Sequence, residues 1–220
     1  MSNVDLDALA AAAEGLVPDG GRAVLGIAGV PGAGKSTLAE AVIARIVERR
    51  GPGFVAHVPM DGFHLADVQL ERLGLRARKG APETFDAAGY AALLRRLHTD
   101  TDVPVYAPGF ERTLEQPIAA AMVVLPSARL VVTEGNYLLL GRPEWRAARA
   151  AIDAVWWVET DDEVRRERLV ARHVRFGKPA AAAVDWVTDV DEVNTALIRS
   201  TGEAPDLIVD EADGGWQIRA

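Results

Sequence analysis

The chain has 220 residues and a formal net charge of −8 at pH 7, with 49% hydrophobic and 25% charged residues. This is an ordinary globular composition, and the length is sufficient to bury a substantial core. The acidic charge argues against a general nucleic-acid partner. The sequence contains no cysteine, which excludes disulfides, cysteine-ligated zinc and thiol catalysis.

The N-terminal segment does not fit a signal peptide, and the apolar runs do not fit a membrane span. The first 17 residues contain three acidic side chains and no lysine or arginine, unlike a signal peptide. No apolar run approaches the roughly 20 residues of a membrane span. We therefore expect a cytoplasmic protein without a membrane partner.

Strand-like and helical segments alternate along the chain, which predicts a mostly parallel sheet covered on both faces. A leading helix over 5–16, within the segment 1–21, is followed by further helices over about 35–50, 87–98, 161–176 and 181–200. The predicted strands are Ala23–Ala28, Phe54–Val58, Val103–Tyr106, Ala119–Leu125, Leu130–Thr133, Ala154–Val158 and Leu207–Val209. The third and fourth of these are candidates to pair with each other. No composition shift divides the chain, so residues 1–220 are predicted to form one domain.

A glycine-rich turn after the first predicted strand matches the phosphate-binding pattern G-x-x-x-x-G-K-[ST]. Its residues are Gly29, Val30, Pro31, Gly32, Ala33, Gly34, Lys35 and Ser36, followed by Thr37. Backbone N–H groups of such a loop surround phosphate oxygens at a helix N-terminus. Lys35 is expected to reach the terminal phosphates of ATP, and Ser36 to hold Mg²⁺. The alternative is a glycine-rich turn that binds no ligand. A match to this pattern arises by chance in about one chain in a hundred.

Other sequence features restrict the class of nucleotide-binding protein. A GTPase needs Asn-Lys-x-Asp, but none of the three asparagines is followed by lysine. Asp86–Gly89 fits the D-x-x-G switch pattern, yet it begins a predicted helix, where Asp86 suits an N-cap. No transporter signature of the Leu-Ser-Gly-Gly type occurs. These absences favour a small-molecule kinase.

Two acidic residues follow predicted strands. Asp61 comes just after the second strand, and Glu134 directly follows the strand Leu130–Thr133. The carboxyl ends of parallel strands line the ligand crevice of a doubly wound sheet. Asp61 is a candidate to accept the proton of an attacking hydroxyl, and Glu134 to hold a magnesium-bound water. Alternatively, Asp61 forms a turn before glycine, and Glu134 is an exposed strand end.

The helix predicted over 161–176 carries four arginines within roughly an 80° arc at ~100° per residue. They are Arg165, Arg168, Arg172 and Arg175. With Gly177 as a hinge, residues of about 161–180 would form a lid whose guanidinium groups stabilise the charge of phosphoryl transfer. Arg168 and Arg172 are the candidates for catalysis. The alternative is a solvated helix paired with its own acidic residues.

Together these residues resemble the phosphoribulokinase, uridine kinase and pantothenate kinase family of P-loop kinases over about residues 23–210. The more specific segments are Asp61-Gly62-Phe63-His64 and Glu134-Gly135-Asn136-Tyr137. The similarity is greatest to a bacterial nucleoside/nucleotide kinase-like branch, some of whose members are labelled fructose-transport kinases. Uridine kinases usually have Asp-Ser-Phe-Tyr where this chain has Asp-Gly-Phe-His, so the substrate does not carry over.

The resemblance implies that Asp61 is the base, Glu134 the second acid, and Arg168 and Arg172 lid residues. It also implies which residues contact the substrate: His64, Phe85, Tyr106, Arg112 and Tyr137. Family relatives are often dimers, which leaves a homodimer open, but nothing in the sequence identifies an interface.

These observations predict an α/β fold, a three-layer P-loop NTPase sandwich with a mostly parallel, doubly wound sheet and a short helical lid. The predicted activity is transfer of the ATP γ-phosphoryl group, with Mg²⁺, to a hydroxyl of a nucleoside, a sugar or a pantothenate-like metabolite. A nucleoside-monophosphate kinase is an alternative, which the cations Arg76, Arg78, Lys79 and Arg112 keep open. A nucleotide-dependent regulator without metabolite kinase activity is another.

Overall fold

The computed structural model describes residues 4–212 and 215–219. Within these residues the strands are β1 (Ala23–Ala28), β2 (Val55–His57), β3 (Val105–Glu111), β4 (Gln116–Val124), β5 (Leu130–Gly135), β6 (Ala154–Glu159), β7 (Leu207–Ala212) and β8 (Gly215–Ile218). The α-helices are α1 (Val4–Glu14), α2 (Lys35–Arg50), α3 (Asp67–Leu73), α4 (Ala87–Thr99), α5 (Pro143–Arg149), α6 (Asp162–Arg175), α7 (Ala180–Trp186) and α8 (Glu192–Thr201). Short 3₁₀ turns occupy Met60–Phe63, Arg76–Arg78 and Pro82–Thr84.

The main sheet has six strands in the order β2-β5-β1-β6-β7-β8, parallel except for β8. All residues of β1 and β5 are buried, because helices cover both faces of the sheet. Helix α1 packs against α2, and α4 against α5. The structure is the predicted three-layer sandwich.

The register of the central strands positions the site. Ala23 lies opposite Leu130 and Ala28 opposite Gly135, so β1 and β5 end together. The glycine-rich turn leaves β1 at this edge, and Glu134 is the penultimate residue of β5. The strand ends therefore bring the phosphate-binding pattern and the predicted second acid side by side.

Strands β3 and β4 form a separate antiparallel hairpin, which confirms the predicted pairing of these segments. The hairpin packs on the 3₁₀ turn Met60–Phe63, which contains Asp61. Its register is interrupted between Ala107 and Gly109. This irregularity changes which β3 side chains face the site.

The C-terminal third differs from prediction in its details. The helix expected over 181–200 is divided into α7, a π-helical turn at Val187–Asp191, and α8. Elsewhere, some elements were not predicted because they are short: helices α3 and α5 have seven residues each and β8 has four, too few for a clear periodic signal.

No helix in the described part of the chain is both long and apolar enough to span a membrane.

Candidate active site

A cavity of about 260 Å³ lies at the carboxyl ends of the parallel strands. Its wall includes Lys35 and Ser36 of the glycine-rich turn, the carboxylates of Asp61 and Glu134, and Arg172 of α6. The volume is at the small end of ligand pockets, which measure roughly 300–1,000 Å³. The cavity thus brings together the predicted phosphate-binding, acidic and arginine residues.

The glycine-rich turn leads directly into α2, and Lys35 is the first residue of that helix. The Lys35 side chain is buried, and its Nζ donates to the Val30 carbonyl at 3.0 Å. Burial lowers the pKa of the Lys35 ammonium to about 8, although the carboxylates of Glu134 and Asp61 oppose this shift. An anion at the turn would restore the preference for the charged form. Pro31 and Gly32 also line the cavity.

Ser36 and Glu134 form a polar pair across the strand ends. The Ser36 hydroxyl donates to Glu134 Oε1 at 3.1 Å. Burial raises the pKa of the Glu134 carboxyl, Asp61 adds to this effect, and Lys35 opposes it. A hydroxyl and a carboxylate side by side are oxygen donors of the kind that Mg²⁺ prefers. The two residues therefore fit a magnesium ion shared with bound phosphates.

Asp61 lies in the 3₁₀ turn after β2, and its carboxylate faces the cavity. Arg112 Nη2 donates to Asp61 Oδ2 at 3.0 Å. Burial acts to raise the pKa of Asp61, but neighbouring groups outweigh burial and lower the pKa. The largest contributions come from His64, in the protonated form that it takes only in acid, and from Arg112. Asp61 is therefore a carboxylate at neutral pH and can accept a proton.

Two glycines allow these acidic turns to approach their neighbours closely. A Cβ at Gly62 would lie 2.2 Å from the Pro108 carbonyl oxygen, and one at Gly135 would lie 2.6 Å from Met60 Sδ. Only glycine fits at such separations. The Asp-Gly and Glu-Gly pairs of the sequence thus have a packing reason, because each glycine lets the adjacent carboxylate reach the cavity.

An aromatic wall holds His64 beside Asp61. The His64 ring centroid is 3.9 Å from that of Phe85 and 4.8 Å from that of Phe110. His64 Nδ1 lies 2.8 Å from the Asp61 carbonyl oxygen, which can only accept, so Nδ1 carries the proton. Burial lowers the pKa of His64, so the ring is neutral at pH 7 and Nε2 is an acceptor.

Two of the four arginines predicted to share one face of α6, Arg165 and Arg175, do not line the cavity. Arg165 is fully buried and forms ion pairs with Asp162 and Glu192, which fastens α6 to α8. Arg175 lies over the ring of Phe176 at 5.9 Å from its centroid. These contacts match the alternative of a solvated, self-paired helix only in the Arg165–Asp162 pair, because Arg165 is buried and Arg175 contacts an aromatic ring.

The other two arginines differ from each other. Arg172 lines the cavity and lies within ion-pair distance of no carboxylate among the described residues. Arg168 instead makes a two-pronged ion pair with Glu211 of β7, at 2.5 and 2.9 Å. In this conformation only Arg172 is presented to the cavity, beside Lys35.

The five predicted substrate contacts also separate into two groups. His64, Phe85 and Arg112 line the cavity. Tyr106 does not, since its side chain is on the outer face of the hairpin and 61% exposed. Tyr137 is fully buried, and its hydroxyl donates to the Gly80 carbonyl at 2.5 Å. Tyr137 therefore supports the loop that carries Lys79 rather than facing the cavity.

Several residues of the cavity were not among the predicted contacts. Lys79 and Phe110 line it near Asp61, and Trp186 of α7 and Asn194 of α8 line it as well. The run of cations over 76–79 was a sequence signal for Lys79. Phe110 carried no comparable signal, because the irregular register of the hairpin determines which way it points.

Comparison with known proteins places the chain in a family. A Schizosaccharomyces pombe protein named as a candidate uridine kinase (C227.14) is 34% identical over 196 residues, covering 86% of this chain and 83% of that protein. A solved structure, described as a candidate fructose transport system kinase from Silicibacter sp. TM1040, is 36% identical with a TM-score of 0.84. It covers 92% of this chain and 98% of its own.

Two further matches bear on the fold and on the glycine-rich turn. The Saccharomyces cerevisiae YFH7 structure has a TM-score of 0.79 at 19% identity, covers 94% of this chain and 98% of its own, and supports the fold alone. The family model for the methylmalonyl Co-A mutase-associated GTPase MeaB matches residues 8–62, which surround the glycine-rich turn. Because the kinase-like relatives instead cover nearly the whole chain, the protein belongs to the phosphoribulokinase, uridine kinase and pantothenate kinase family of P-loop kinases.

Proposed function

We propose that the protein transfers the γ-phosphoryl group of ATP to a hydroxyl of a small metabolite. One observation carries the proposal. A partly buried carboxylate with a lowered pKa, Asp61, faces the same cavity as Lys35 and Ser36 of the P-loop. A protein that only binds nucleotide has no need of a proton acceptor at this position.

The P-loop would hold the triphosphate, with its backbone N–H groups and Lys35 on the phosphate oxygens. Ser36 and Glu134 would hold Mg²⁺, which when bound neutralises charge on the phosphates. Their 3.1 Å separation and their oxygen chemistry fit this role. ATP and Mg²⁺ are thus the nucleotide and metal of the proposed reaction.

Asp61 would remove the proton of the acceptor hydroxyl as the oxygen attacks the γ-phosphorus. A new oxygen–phosphorus bond forms, and the bond between the γ-phosphorus and the bridging oxygen breaks. ADP leaves with the electron pair of that bond. Lys35 and Arg172 would stabilise the negative charge on the transferring group. Arg168 would contribute only after leaving Glu211, so we assign Arg172 the more direct role.

The acceptor would lie against His64, Phe85 and Arg112, which line the cavity around Asp61. The small cavity supports an acceptor of metabolite size. The names of the two relatives suggest uridine and fructose as compounds to test. Nucleoside monophosphates belong in the same test, because Arg112 and Lys79 lie at this end of the cavity.

The test is a coupled ADP-release assay with Mg·ATP and a panel of nucleosides, sugars, pantothenate and nucleoside monophosphates. Stimulation by one acceptor, lost in Asp61→Asn while the Kd for ATP changes less than about twofold, supports the proposal. General acid–base groups contribute roughly 10²–10⁴-fold, so kcat should fall by that factor. Asp102→Asn, in an exposed loop, is the matched control. Equal losses in kcat and ATP affinity would contradict the role of Asp61.

A further inference from the structure

Three polar groups surround one aromatic ring at the end of the cavity next to Asp61. The Phe110 ring centroid is 5.5 Å from Lys79 Nζ, 5.7 Å from Arg112 Cζ and 4.8 Å from the His64 ring centroid. All four residues line the cavity. The cluster of Lys79, Arg112, His64 and Phe110 is thus a site beside the proposed base, separate from the P-loop.

The cavity has more cations than carboxylates, although the protein as a whole is acidic. Six lysines and arginines and four carboxylates line it among the described residues. Lys35 and Arg172 lie at the P-loop, where ATP would neutralise them, and Glu134 is the proposed magnesium ligand. Of the other four cations, Arg76 pairs with Asp67 at 2.7 Å, and Lys178 lies over the Trp186 ring at 4.3 Å from its centroid. Lys79 and Arg112 remain as a positive pair that the triphosphate does not use.

Arg112 has unused hydrogen-bonding capacity. Its guanidinium carries five N–H donors, and Asp61 is its one hydrogen-bond acceptor among the described residues. The side chain is 35% exposed, so the remaining donors are open to the cavity. A guanidinium edge matches the two oxygens of a carboxylate or a phosphate.

Lys79 is held in place more firmly. Its side chain is 9% exposed, and Nζ donates to Asp67 Oδ1 at 2.7 Å and to the Glu115 carbonyl. An ammonium has three N–H donors, so one remains for a ligand. The loop behind it is fixed by the hydrogen bond from Tyr137 to Gly80. Lys79 is therefore preorganised before any acceptor binds.

From this geometry we infer that the acceptor carries its own negative charge, a carboxylate or a phosphate monoester, bound by Arg112 and Lys79 beside the hydroxyl at Asp61. The inference rests on the proposed kinase function and names its substrate class. His64 Nε2, an acceptor facing the cavity, is placed to receive a hydrogen bond from a further hydroxyl. A neutral acceptor would offer no anionic oxygens to the remaining N–H donors of these two cations, which disfavours its binding.

An anion on Arg112 would also affect Asp61. Arg112 now makes an ion pair with the proposed base at 3.0 Å. When the guanidinium shares its donors with a substrate anion, it holds Asp61 less strongly, and the carboxylate becomes a better proton acceptor. Binding of the correct acceptor would thereby activate the base.

Matched acceptor pairs test the inference. We compare kcat/KM for pantothenate with panthenol, glycerate with glycerol, uridine monophosphate with uridine, and fructose phosphates with fructose. The expected result is a preference of at least roughly 100-fold for the charged member of the pair that is used. Preference for a carboxylate or for a phosphate member identifies the source of the charge. Equal or better use of a neutral member would overturn the inference.

Variants provide a second test. Arg112→Gln and Lys79→Gln should each raise KM for the charged acceptor at least tenfold, with a smaller effect on KM for ATP. Arg78→Gln is the matched control, because Arg78 is adjacent in sequence, pairs with Glu83, and has a side chain that is 62% exposed. Equal effects of Arg78→Gln and Lys79→Gln would indicate a loss of loop structure and contradict the inference.

Failure of the proposed kinase function is separable from failure of this site. If no acceptor stimulates ADP release, the proposed function fails. Calorimetry with inorganic phosphate and with acetate, in the presence of saturating Mg²⁺ and a non-hydrolysable ATP analogue, then still tests the anion site. Binding that is lost in Arg112→Gln and Lys79→Gln supports it. The absence of binding by both anions to the wild-type protein would overturn it.

Discussion

The Ser36 hydroxyl donates to Glu134 Oε1 at 3.1 Å, which joins the first turn of α2 to the carboxyl end of β5. The contact exists because β1 and β5 are adjacent and end in register, so that the P-loop and the acid leave the sheet together. Since Glu134 is buried and has a raised pKa, its full ionisation depends on a positive partner. A divalent cation would supply that partner.

Removing either member of this pair should weaken the use of Mg²⁺. For Ser36→Ala and for Glu134→Gln we expect the Mg²⁺ concentration that gives half-maximal nucleotide binding to rise roughly 10- to 100-fold. The measurement is a titration of Mg²⁺ with a fluorescent ATP analogue. Thr113→Ala, at a hydroxyl that bonds only to Glu111 on the hairpin turn, is the control. An unchanged Mg²⁺ requirement in both site variants would remove them from the metal site.

The protein should take up a proton when it binds nucleotide at alkaline pH. Burial lowers the pKa of Lys35 to about 8, and bound phosphates would raise it again by favouring the ammonium. Binding at pH 9 should then take up roughly 0.9 proton and at pH 7 roughly 0.1, with affinity falling as pH rises above 8. Calorimetry in buffers of different ionisation enthalpy measures this number. Lys35→Arg, which stays charged, should show no such uptake, and a wild-type value near zero at pH 9 would contradict the prediction.

The sequence was sufficient to predict the sheet, the P-loop and both acids, because each depends on local pattern. Asp61 lies shortly after one apolar strand, and Glu134 lies at the end of another. Parallel strands place their carboxyl ends at one edge of the sheet. The burial of β1 and β5 on both faces likewise appears in sequence as continuous apolar runs. These features needed no knowledge of distant contacts.

What could not be predicted depends on contacts between distant segments. Spacing places Tyr106 and Phe110 on the same face of an ideal strand, but the irregularity at Ala107 and Gly109 leaves only Phe110 in the cavity. The helical spacing also places Arg168 on the same face of α6 as Arg172. Glu211, 43 residues later in the chain, pairs with Arg168 and holds it away. Neither outcome has a local signal.

His57 should make the protein less stable in acid. Its Nε2 is buried without a hydrogen-bond partner in the described structure, and burial lowers the pKa of the ring to about 4. The folded-state pKa lies below the unfolded value of 6.5, so the unfolded state binds a proton more readily than the folded state does. The free energy of unfolding therefore has its full value above pH 6.5 and decreases as pH falls towards 4. The loss through this group is up to about 3 kcal/mol.

The measurement is the free energy of unfolding by urea at several pH values between 7 and 4. His57→Gln cannot be protonated, so its stability should fall less steeply over this range than that of the wild type. His98→Gln, at a half-exposed ring that bonds the Ala151 carbonyl, is the control. Parallel pH profiles for the wild type and His57→Gln would show that His57 is not the group responsible.

Gly62 should tolerate no side chain, and its replacement should affect the site more directly than a core substitution. A Cβ there would lie 2.2 Å from the Pro108 carbonyl oxygen and 2.7 Å from its carbon, and backbone atoms cannot rotate away. Gly62→Ala must therefore displace either the turn bearing Asp61 or the hairpin bearing Arg112. We expect a loss of roughly 1–3 kcal/mol in the free energy of unfolding. Activity at a temperature where the variant is still folded should also fall, because the Asp61–Arg112 separation changes.

Gly15→Ala, where the nearest atoms would be 3.4 Å from the new Cβ, should leave both stability and activity close to wild type. A fully stable and active Gly62→Ala protein would mean that the hairpin can move without disturbing Asp61, and that the close backbone contact is not what positions the proposed base.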